Sequence, residues 1–348
     1  MSRMKKISII TVVLNGAKTI EQTILSVIGQ GYPDLEYIVI DGGSTDNTMD
    51  VVEKYRDRID VIVSEPDNGL YDAMNKGIRL SSGDIIGIVN SDDWYEDYAM
   101  DIVAHAFEHN RNIDVVFGDV NIVAPGKEAY VYSPPEFKTL WRLMPVNHPA
   151  CFIKRKIYEK YGLYDDSFRI QADCELMMRL WQSKAKFGRI GTVLTNFRTG
   201  GISSKISENA VESERLVEMY FNSRLFVESC LDSVLDRNTP LYLWGAGRWG
   251  RFLARHFTEE GISICGIFDT DVKKWGDEYY SVSILPPHKA GECDQQIIVA
   301  INRDDVDISD YIDSKKIRNC TIVHIKYLFE EYERQLLTLN GDCIRIEA

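Results

Sequence analysis

The 348-residue sequence has few cysteines, and they form no cluster. Its seven cysteines are scattered singly, their number is odd, and no Cys-x-x-Cys pair occurs. Zinc sites and disulfide frameworks need cysteines at paired, recurring spacings. The pattern therefore disfavours both kinds of site and predicts a reduced chain of the cytoplasm.

Positive charge and long apolar runs are also scarce. The 53 acidic and 40 basic side chains give a net charge of −13, which disfavours a nucleic acid as the main partner. A phosphorylated substrate is not excluded, because a bound metal supplies positive charge locally. No apolar window is long enough for a transmembrane helix, and residues 7–14 fit a buried first strand better than a signal peptide.

Short apolar segments alternate with amphipathic segments through the first ninety residues. The pattern predicts strands at residues 7–13, 35–40, 60–63 and 84–89, and helices at about 18–29, 46–56 and 71–80. This alternation indicates βαβ units in an α/β fold with a parallel sheet, which binds ligands at the carboxyl ends of its strands. The chain length favours two domains.

Polar residues stand at several of these strand ends. Asn15, Asp41 and the pair Asp92-Asp93 each follow an apolar run. Adjacent carboxylates repel each other unless a positive group lies beside them, and Mg²⁺ takes carboxylate oxygens while keeping positions for phosphates. The pair therefore suggests a metal–diphosphate site, with a solvated turn as the alternative.

The motifs of residues 5–205 resemble those of the family-2 glycosyltransferases, which are inverting enzymes with the GT-A nucleotide-binding fold. The resemblance is closest to the branch that builds bacterial O-antigen and capsule sugars. It rests on these segments: Ile10-Thr11-Val12-Val13-Leu14-Asn15, Asp41-Gly42-Gly43-Ser44-Thr45-Asp46-Asn47-Thr48, Ser64-Glu65-Pro66-Asp67-Asn68-Gly69-Leu70-Tyr71-Asp72-Ala73-Met74-Asn75-Lys76-Gly77 and Asn90-Ser91-Asp92-Asp93-Trp94.

The resemblance implies a donor site for a nucleoside-diphosphate sugar, with UDP favoured. It implies that Asp93 binds Mg²⁺ or Mn²⁺. The other residues that it implies on the donor side are Thr11, Val13, Asn15, Asp41 (for the uracil N3–H), Asp72, Lys76 and Asp92 (near the ribose). Structural interpretations stay open: Asp41 could cap its turn, Thr11 could simply end a strand, and Lys76 could belong to a helix surface.

The resemblance also implies a catalytic base, which deprotonates the acceptor hydroxyl as it attacks. Asp173 matches the second residue of the family's Glu-Asp motif, although Ala172 replaces the first. Glu175 is the rival, but its spacing to Arg179 predicts a surface ion pair on a helix. Asp173 could also cap that helix. His148 matches a histidine on the acceptor side, or else it is structural.

The sequence divides near residue 237, where Asn238-Thr239-Pro240 breaks a charged helical stretch of about residues 207–236. Residues 1–237 are expected to form the GT-A domain, and residues 238–348 a smaller Rossmann-like domain. There, Gly245, Gly247 and Gly250 between strand and helix, followed by Asp269 at the next strand end, match a dinucleotide fingerprint. NAD(P) binding is one interpretation, and a scaffold or partner-binding role is the favoured one.

Together these features predict a metal-dependent inverting glycosyltransferase of surface polysaccharide biosynthesis. Its acceptor would be a glycan or a lipid-linked sugar, reached from the cytoplasm with peripheral association at the inner membrane. The alternatives are an NAD-dependent oxidoreductase acting on sugar nucleotides through the second domain, a nucleotidyltransferase, and a non-catalytic scaffold of glycan assembly.

Overall fold

The fold begins with seven consecutive buried residues, Ile7–Val13, which form strand β1. All seven are buried because β1 lies in the middle of a sheet, between two parallel neighbours, and helices pack against it. The computed structural model describes residues 5–133, 135–141, 144, 146–201, 206–290, 295–301 and 320–346, with the backbone alone for residues 206–210.

Within the described part of the chain, ten strands form the sheet of the first unit. Besides β1 they are β2 (Leu35–Asp41), β3 (Val61–Ser64), β4 (Ile85–Asn90), β5 (Trp94–Tyr95), β6 (Val115–Val123), β7 (Tyr130–Tyr132), β8 (Cys151–Lys154), β9 (Phe187–Arg198) and β16 (Ile344–Ile346). Their order is β16-β9-β6-β8-β4-β1-β2-β3, with β5 beside β9 and β7 beside β6. The run from β4 to β3 is parallel, whereas β8 is antiparallel to both of its neighbours.

The unit also contains helices, several of which contact strands of the sheet. They are α1 (Ile20–Ile28), α2 (Thr48–Glu53), α3 (Leu70–Leu80), α4 (Ala99–His109), α5 (Arg155–Tyr161), α6 (Ala172–Gln182) and α7 (Ile206–Tyr220). In α3 the buried residues Tyr71, Met74 and Ile78 follow the helical period, which defines its inner face. Gly77 lets α3 approach β1 closely, since a Cβ there would lie 2.4 Å from Cγ2 of Ile10.

The predicted alternation of strands and helices is confirmed, and with it the α/β class. The strands predicted at 7–13, 35–40, 60–63 and 84–89 correspond to β1 to β4, with ends that differ by at most one residue. The three predicted helices correspond to α1, α2 and α3. Local periodicity is sufficient here because β1, β2 and β4 are almost wholly buried and α3 has a regular buried face.

A second, smaller sheet lies in the other unit. Its elements are β10 (Leu241–Trp244), β11 (Ile264–Phe268), β12 (Glu278–Tyr279), β13 (Val282–Leu285), β14 (Gln295–Val299) and β15 (Cys320–His324), with helices α8 (Ser223–Ser233), α9 (Arg248–Glu259) and α10 (Ile325–Asn340). The parallel strands stand in the order β13-β11-β10-β14-β15, and β12 pairs antiparallel with β13. This order, 3-2-1-4-5 in the sequence of the strands, matches five of the six strands in the 3-2-1-4-5-6 order of doubly wound sheets.

The division of the chain differs from the expected boundary near residue 237. One unit comprises Met1–Tyr220 and Asn340–Ala348, and the other Phe221–Leu339. The expected helix over 207–236 is two helices, and Asn222 caps the second by accepting from the backbone N–H of Leu225 at 2.9 Å. The C-terminal strand β16 pairs with β9 in the sheet of the first unit. The second unit is therefore inserted in the chain, and not appended after residue 237.

Among the described residues, no helix combines the length and the hydropathy that crossing a membrane requires.

Candidate active site

Parallel strands β2, β1 and β4 are neighbours, so their carboxyl ends lie at one edge of the sheet. Val13 is in register with Asp41, and Val12 with Asn90. The segment Ser91 to Asp93 continues directly from the end of β4. The structure therefore brings the strand-end acids Asp41 and Asp92-Asp93 to the same edge of the sheet, on either side of the end of β1.

Asp93 has a buried carboxylate in which one oxygen lacks a partner. Asp93 is 1% exposed, and its Oδ1 accepts from the backbone N–H of Arg198 at 2.9 Å. Oδ2 is buried and makes no hydrogen bond to any described residue. Burial raises the pKa of Asp93 well above its usual value, and the charge of Asp92 raises it further.

These properties of Asp93 fit a divalent cation. A buried, unpaired carboxylate oxygen is costly unless a positive group meets it, and Mg²⁺ and Mn²⁺ prefer carboxylate oxygens. Within the described ranges, no group of three or more His, Cys, Asp or Glu side chains could hold a metal. A cation at Asp93 would therefore take its other ligands from water and from substrate phosphates, which is the usual pattern for Mg²⁺.

Asp92 is only half-buried and faces a glycine. Burial raises its pKa, while the positive charge of Arg198 lowers it in part. A Cβ on Gly201 would lie 3.5 Å from Oδ2 of Asp92, so a backbone segment passes close to this carboxylate. The carboxylates of Asp92 and Asp93 thus differ in exposure: one is open to a ligand, and the other is enclosed.

Arg198, at the end of β9, connects this acidic pair to the opposite half of the sheet. Besides its N–H bond to Asp93, its Nε donates to the carbonyl oxygen of Asp92 at 3.2 Å. Its guanidinium lies 5.0 Å from the centre of the Trp94 ring, and Nη2 donates to Gln22 at 2.9 Å. The sequence analysis missed Arg198, since no local motif marks a residue that acts on a carboxylate 105 positions away.

Asp41 is fully buried and already makes hydrogen bonds within its own turn. Its carboxylate accepts from the backbone N–H of Ser44 at 3.1 and 3.2 Å and from the hydroxyl of Ser64 at 2.7 Å. The turn-capping interpretation is therefore confirmed. A carboxylate has about four lone-pair sites, so these bonds leave acceptor capacity for a base N–H.

The expected donor residues of β1 and the loop after it have structural partners. Thr11 lies in the core with its hydroxyl 3.1 Å from that of Tyr37, and the carbonyl of Val13 accepts from Gly42 N–H at 2.9 Å. Asn15, in the left-handed region at φ 54°, accepts from the N–H groups of Thr45 and Asp46 at 2.9 and 3.3 Å. Asn15 therefore fixes the loop after β2, where Asp41 ends the strand.

Asp72 and Lys76 stand on α3 with partners of their own. Oδ2 of Asp72 accepts from the backbone N–H of Asn68 at 3.0 Å, which ties the loop before α3 to the first turn of the helix. Nζ of Lys76 lies 2.7 Å from Oε1 of Glu65, and this hydrogen bond raises the pKa of Lys76. Both side chains remain partly exposed, and a phosphate would compete with Glu65 for Lys76.

Asp173 is the second residue of α6, and one oxygen of its carboxylate accepts a backbone hydrogen bond. Oδ1 accepts from the backbone N–H of Cys174 at 2.8 Å and lies 3.3 Å from the Tyr71 hydroxyl. No bond from a described residue engages Oδ2. Burial raises the pKa of Asp173 to about 6, against a lowering by these hydrogen bonds. A carboxylate with this pKa is ionised at neutral pH and is a stronger base than an exposed aspartate.

Tyr71, on α3, lies beside this carboxylate, and it was not among the predicted site residues. Its hydroxyl also donates to the carbonyl oxygen of Ile170 at 2.6 Å, and its ring stacks on Tyr164 with centroids 5.5 Å apart. Burial raises its pKa well above the usual value, so the hydroxyl stays protonated. In the sequence, the one indication of a role for Tyr71 was its position in the segment 64–77, directly before Asp72.

Glu175 is paired with Arg179, as its spacing predicted, but the pair is not on the surface. Glu175 is 3% exposed, and its carboxylate accepts from Nε and Nη2 of Arg179 at 2.9 and 2.8 Å and from the Tyr220 hydroxyl. Arg179 also donates to the carbonyl oxygen of Leu163 at 2.7 Å. Both oxygens of the Glu175 carboxylate accept from the Arg179 guanidinium, so this ion pair favours Asp173 as the candidate base.

His148 opens a short 3-10 helix, His148–Ala150, ahead of β8. Burial lowers its pKa to about 4, so the imidazole is neutral at pH 7. Nε2 is buried without a hydrogen-bond partner among the described residues, and the ring lies 6.2 Å from that of Tyr164. Since Tyr164 stacks on Tyr71, His148 belongs to the aromatic surroundings of Asp173.

The Gly-rich turn of the second unit is closed by its own acid. Gly245 has φ 104°, and a Cβ on Gly250 would lie 1.9 Å from the carbonyl oxygen of Gly245, so the tight turn requires both glycines. The Asp269 carboxylate accepts from Ala246 N–H at 2.7 Å, from Asp271 N–H at 2.8 Å and from Nζ of Lys274 at 3.1 Å.

These hydrogen bonds occupy the Asp269 carboxylate and the Ala246 N–H, which a dinucleotide would need for its ribose and pyrophosphate. Burial alone would raise the pKa of Asp269, but the hydrogen bonds lower it overall. A ribose would have to displace Asp271 or Lys274 from the carboxylate, and a pyrophosphate would have to displace the carboxylate from Ala246 N–H. With Gly247 extended at the helix start, the turn fits a structural role better than an NAD(P) site.

Comparison with known proteins agrees with the geometry of the first unit. The profile described as Glycosyl transferase family 2 matches residues 8–162. An uncharacterised glycosyltransferase of Mycobacterium tuberculosis is 33% identical over 220 residues, which cover 61% of this chain and 82% of the relative. The chain belongs to glycosyltransferase family 2.

Other relatives and a solved structure extend the comparison. A PGL/p-HBAD biosynthesis glycosyltransferase of Mycobacterium bovis is 28% identical over 242 residues, covering 67% of this chain and 90% of the relative. S. aureus TarS residues 1–349, in complex with UDP-GlcNAc, align with a TM-score of 0.51 at 21% identity, covering 66% of this chain and 68% of that one.

The longer TarS chain gives a TM-score of 0.50 at 19% identity, and the match spans 66% of this chain but 40% of TarS. At these identities the likeness concerns the fold alone. The family-2 transferase described here therefore has a GT-A-type α/β unit, as its motifs predicted, together with a smaller α/β unit.

Proposed function

We propose that this family-2 glycosyltransferase is metal-dependent and inverting. It moves a hexosyl or N-acetylhexosaminyl group from a UDP-sugar to a hydroxyl of a glycan or lipid-linked acceptor, in surface polysaccharide biosynthesis of the O-antigen or capsule type. The enzyme acts in the cytoplasm and associates peripherally with the cytoplasmic face of the inner membrane. The UDP-GlcNAc bound by TarS supports the choice of donor class.

The observation that carries the proposal is the unpartnered, buried Oδ2 of Asp93. It lies at the carboxyl-end edge of the sheet beside the half-buried Asp92, where parallel α/β sheets bind ligands. A Mg²⁺ or Mn²⁺ ion held by Asp93 would act as a Lewis acid for the departing diphosphate. Asp92 then faces the ribose, and Asp41 offers its remaining acceptor capacity to the uracil N3–H.

Asp173 supplies the base. Its free Oδ2 accepts the proton of the acceptor hydroxyl while that oxygen attacks the anomeric carbon. The bond from the anomeric carbon to the diphosphate oxygen breaks on the opposite face, so the configuration inverts. The backbone N–H of Cys174 donates to Oδ1 of Asp173, with the Tyr71 hydroxyl 3.3 Å from the same oxygen, and Oδ2 is the oxygen proposed to meet the acceptor. His148, neutral at pH 7, contributes to the acceptor side without adding charge.

Calorimetric titration with UDP tests the donor side. In the presence of MnCl₂, Asp93→Asn is expected to weaken UDP binding by at least about 10-fold, whereas with EDTA parent and variant bind equally weakly. Asp97→Asn, an exposed acid four residues further on, is the matched control and keeps the parent affinity. If Asp93→Asn and the parent bound UDP equally well in MnCl₂, the proposed metal site at Asp93 would be contradicted.

Release of UDP from UDP-glucose, UDP-galactose and UDP-N-acetylglucosamine tests the base. Asp173→Asn is expected to bind UDP like the parent and to lose about 100-fold or more in turnover. Asp166→Asn, an exposed acid of the preceding loop, serves as its control. Turnover of Asp173→Asn at the parent rate would show that another group is the base.

The oxidoreductase alternative makes a different prediction. It requires a change in NADH absorbance on addition of a nucleotide sugar, without UDP release. The engagement of Asp269 and Ala246 within the Gly-rich turn speaks against it. We therefore assign the second unit to a scaffold or partner-binding role in the proposal.

A further inference from the structure

One acidic side chain of α7 binds the backbone that leads into the helix of the candidate base. Oε1 of Glu212 accepts from the N–H of Arg169 at 2.7 Å. Oε2 accepts from the N–H groups of Ile170 and Gln171, both at 2.9 Å. Three successive N–H groups that converge on one anion form a nest, and bonds to an ionised carboxylate are the strong kind.

The segment held by Glu212 is connected to Asp173 in two ways. Gln171 immediately precedes α6, in which Asp173 is the second residue. The carbonyl oxygen of Ile170 accepts from the same Tyr71 hydroxyl that lies 3.3 Å from Asp173 Oδ1. Ile170 is thus held at its N–H by Glu212 and at its carbonyl by Tyr71.

Two further side chains of α7 contact the same segment. The hydroxyl of Ser213 accepts from Nε2 of Gln171 at 3.1 Å. The Arg215 guanidinium donates to the Ser167 hydroxyl at 2.9 Å and lies 4.0 Å from the centre of the Phe168 ring. The turn over residues 167–171 therefore takes its position from α7, on which Glu212 makes the three backbone bonds.

Glu212 also acts on Asp173 through its charge. The titratable groups that interact with Asp173 include Tyr71, Cys151, Tyr164, Cys174 and Glu212. Burial is the main cause that raises the pKa of Asp173, and the negative charge of Glu212 adds to it. Glu212 is therefore the acid that both orders this turn and strengthens the base.

We propose that Glu212 is a positioning residue for glycosyl transfer: its carboxylate fixes the turn over residues 169–171 so that Asp173 presents its free oxygen to the acceptor hydroxyl. This inference rests on the proposed role of Asp173 as the base. It assigns to α7 a part in the reaction that no motif of the sequence indicated.

Glu212→Gln tests the proposal, because an amide keeps the size but offers one acceptor oxygen in place of two and carries no charge. The UDP-sugar that the parent hydrolyses fastest with MnCl₂ serves as the probe. Turnover is expected to fall by about 10-fold to 100-fold, as for other small misplacements of a catalytic group. The affinity for UDP stays within twofold, and Glu159→Gln, an exposed acid of α5, behaves like the parent.

A double-mutant cycle separates this inference from the proposed function. If Glu212 acts through Asp173, adding Glu212→Gln to Asp173→Asn causes no further loss of turnover. Full turnover of Asp173→Asn would overturn the base assignment. An inactive Asp173→Asn beside a fully active Glu212→Gln would overturn the positioning role alone. If Glu212→Gln does not fold, Glu212→Asp takes its place, since its shorter side chain keeps the charge but loses part of the reach.

Two measurements without substrate complete the test. A carboxyl ¹³C NMR titration is expected to show a lower pKa for Asp173 in Glu212→Gln than in the parent, because a negative neighbour is removed. Amide hydrogen exchange is expected to accelerate in residues 169–171 and to stay unchanged in β1. An unchanged Asp173 titration together with unchanged exchange would overturn the proposal, whatever the activity.

Discussion

The hydroxyl of Tyr71 lies 3.3 Å from Oδ1 of Asp173, and it donates to the carbonyl oxygen of Ile170 at 2.6 Å. Tyr71 belongs to the helix that carries the expected donor-side residues, whereas Asp173 is the candidate base. One buried hydroxyl thus connects the two halves of the proposed reaction, and it does so with both partners at hydrogen-bond distance.

Replacing Tyr71 by phenylalanine is expected to move the acidic side of the pH profile upward. The Tyr71 hydrogen bond lowers the pKa of Asp173, so its loss lets burial raise that pKa further above about 6. The exposed Tyr98, 69% accessible, provides the control Tyr98→Phe. Turnover measured from pH 5 to 8 should show opposite displacements for Tyr71→Phe and Glu212→Gln, and a common direction would contradict the assigned contacts.

Local motifs pointed to the two candidate carboxylates, Asp93 and Asp173, but not to the residues that contact them. Asp93 and Asp173 each stood in a recognisable local pattern. Arg198 bonds to Asp93 across 105 positions of sequence, and Tyr71 lies at hydrogen-bond distance from Asp173 across 102. Glu212 bonds to the turn before Asp173 across 41 to 43 positions, and only the folded chain creates these contacts. Asn15, predicted on the donor side, also has a structural role that its motif did not indicate, because its side chain accepts from backbone N–H groups of a neighbouring loop.

The strands and helices of the first ninety residues were predictable because their periodicity is local. The position at which the chain divides into two units was not predictable in this way. Asn238-Thr239-Pro240 is a strong breaker, yet it only precedes β10, while the units divide at Phe221 without proline or glycine. The pairing of β16 with β9 joins residues about 150 positions apart, and no local pattern announces such long-range pairing.

Asp93→Asn is expected to raise the melting temperature of the ligand-free protein in EDTA at pH 7. The buried carboxylate has an unpartnered oxygen and a repelling neighbour in Asp92, which destabilises the folded state when both are ionised. With MnCl₂ and UDP the order should reverse, because only the parent gains stability by ligand binding. Differential scanning calorimetry under both conditions checks this, and a lower melting temperature of the variant in EDTA would contradict it.

Glu36 is expected to make the first unit sensitive to acid. Burial would raise its pKa, but hydrogen bonds from Ser8, Ser82 and Lys6 outweigh burial and lower the pKa to about 2. A lowered acid pKa contributes stability above the ordinary value near 4.5, and this contribution is lost as pH falls from there towards 2.

Urea unfolding of Glu36→Gln provides the measurement for this group. At pH 7 the variant should be less stable by on the order of 2 kcal/mol, and at pH 3 the difference should shrink. Glu53→Gln, with a side chain that is 54% exposed, is the control at both pH values. A constant difference across this range would mean that the Glu36 charge is not what the network stabilises.

The C-terminal strand is expected to be necessary for the first unit, although the whole second unit, Phe221–Leu339, precedes it in the chain. β16 covers the edge of β9 in parallel register, and Ile346 is 5% exposed. Its Cδ1 would lie 2.5 Å from a Cβ built on Gly188, so the missing side chain of Gly188 accommodates it. In addition, Nε1 of Trp181 donates to the carbonyl oxygen of Gly341 at 2.8 Å.

Ile346→Ala should therefore cost about 2 to 4 kcal/mol of unfolding free energy, as for other buried isoleucines. Ile344→Ala is the matched control on the same strand, because Ile344 is 49% exposed and should change stability little. A chain that ends at residue 237 lacks β16 altogether and exposes the edge of β9, so it should melt lower than the parent and aggregate. If that shortened chain melted like the parent and turned over UDP-sugars equally well, β16 would be dispensable, and the expected boundary near residue 237 would describe the functional domain after all.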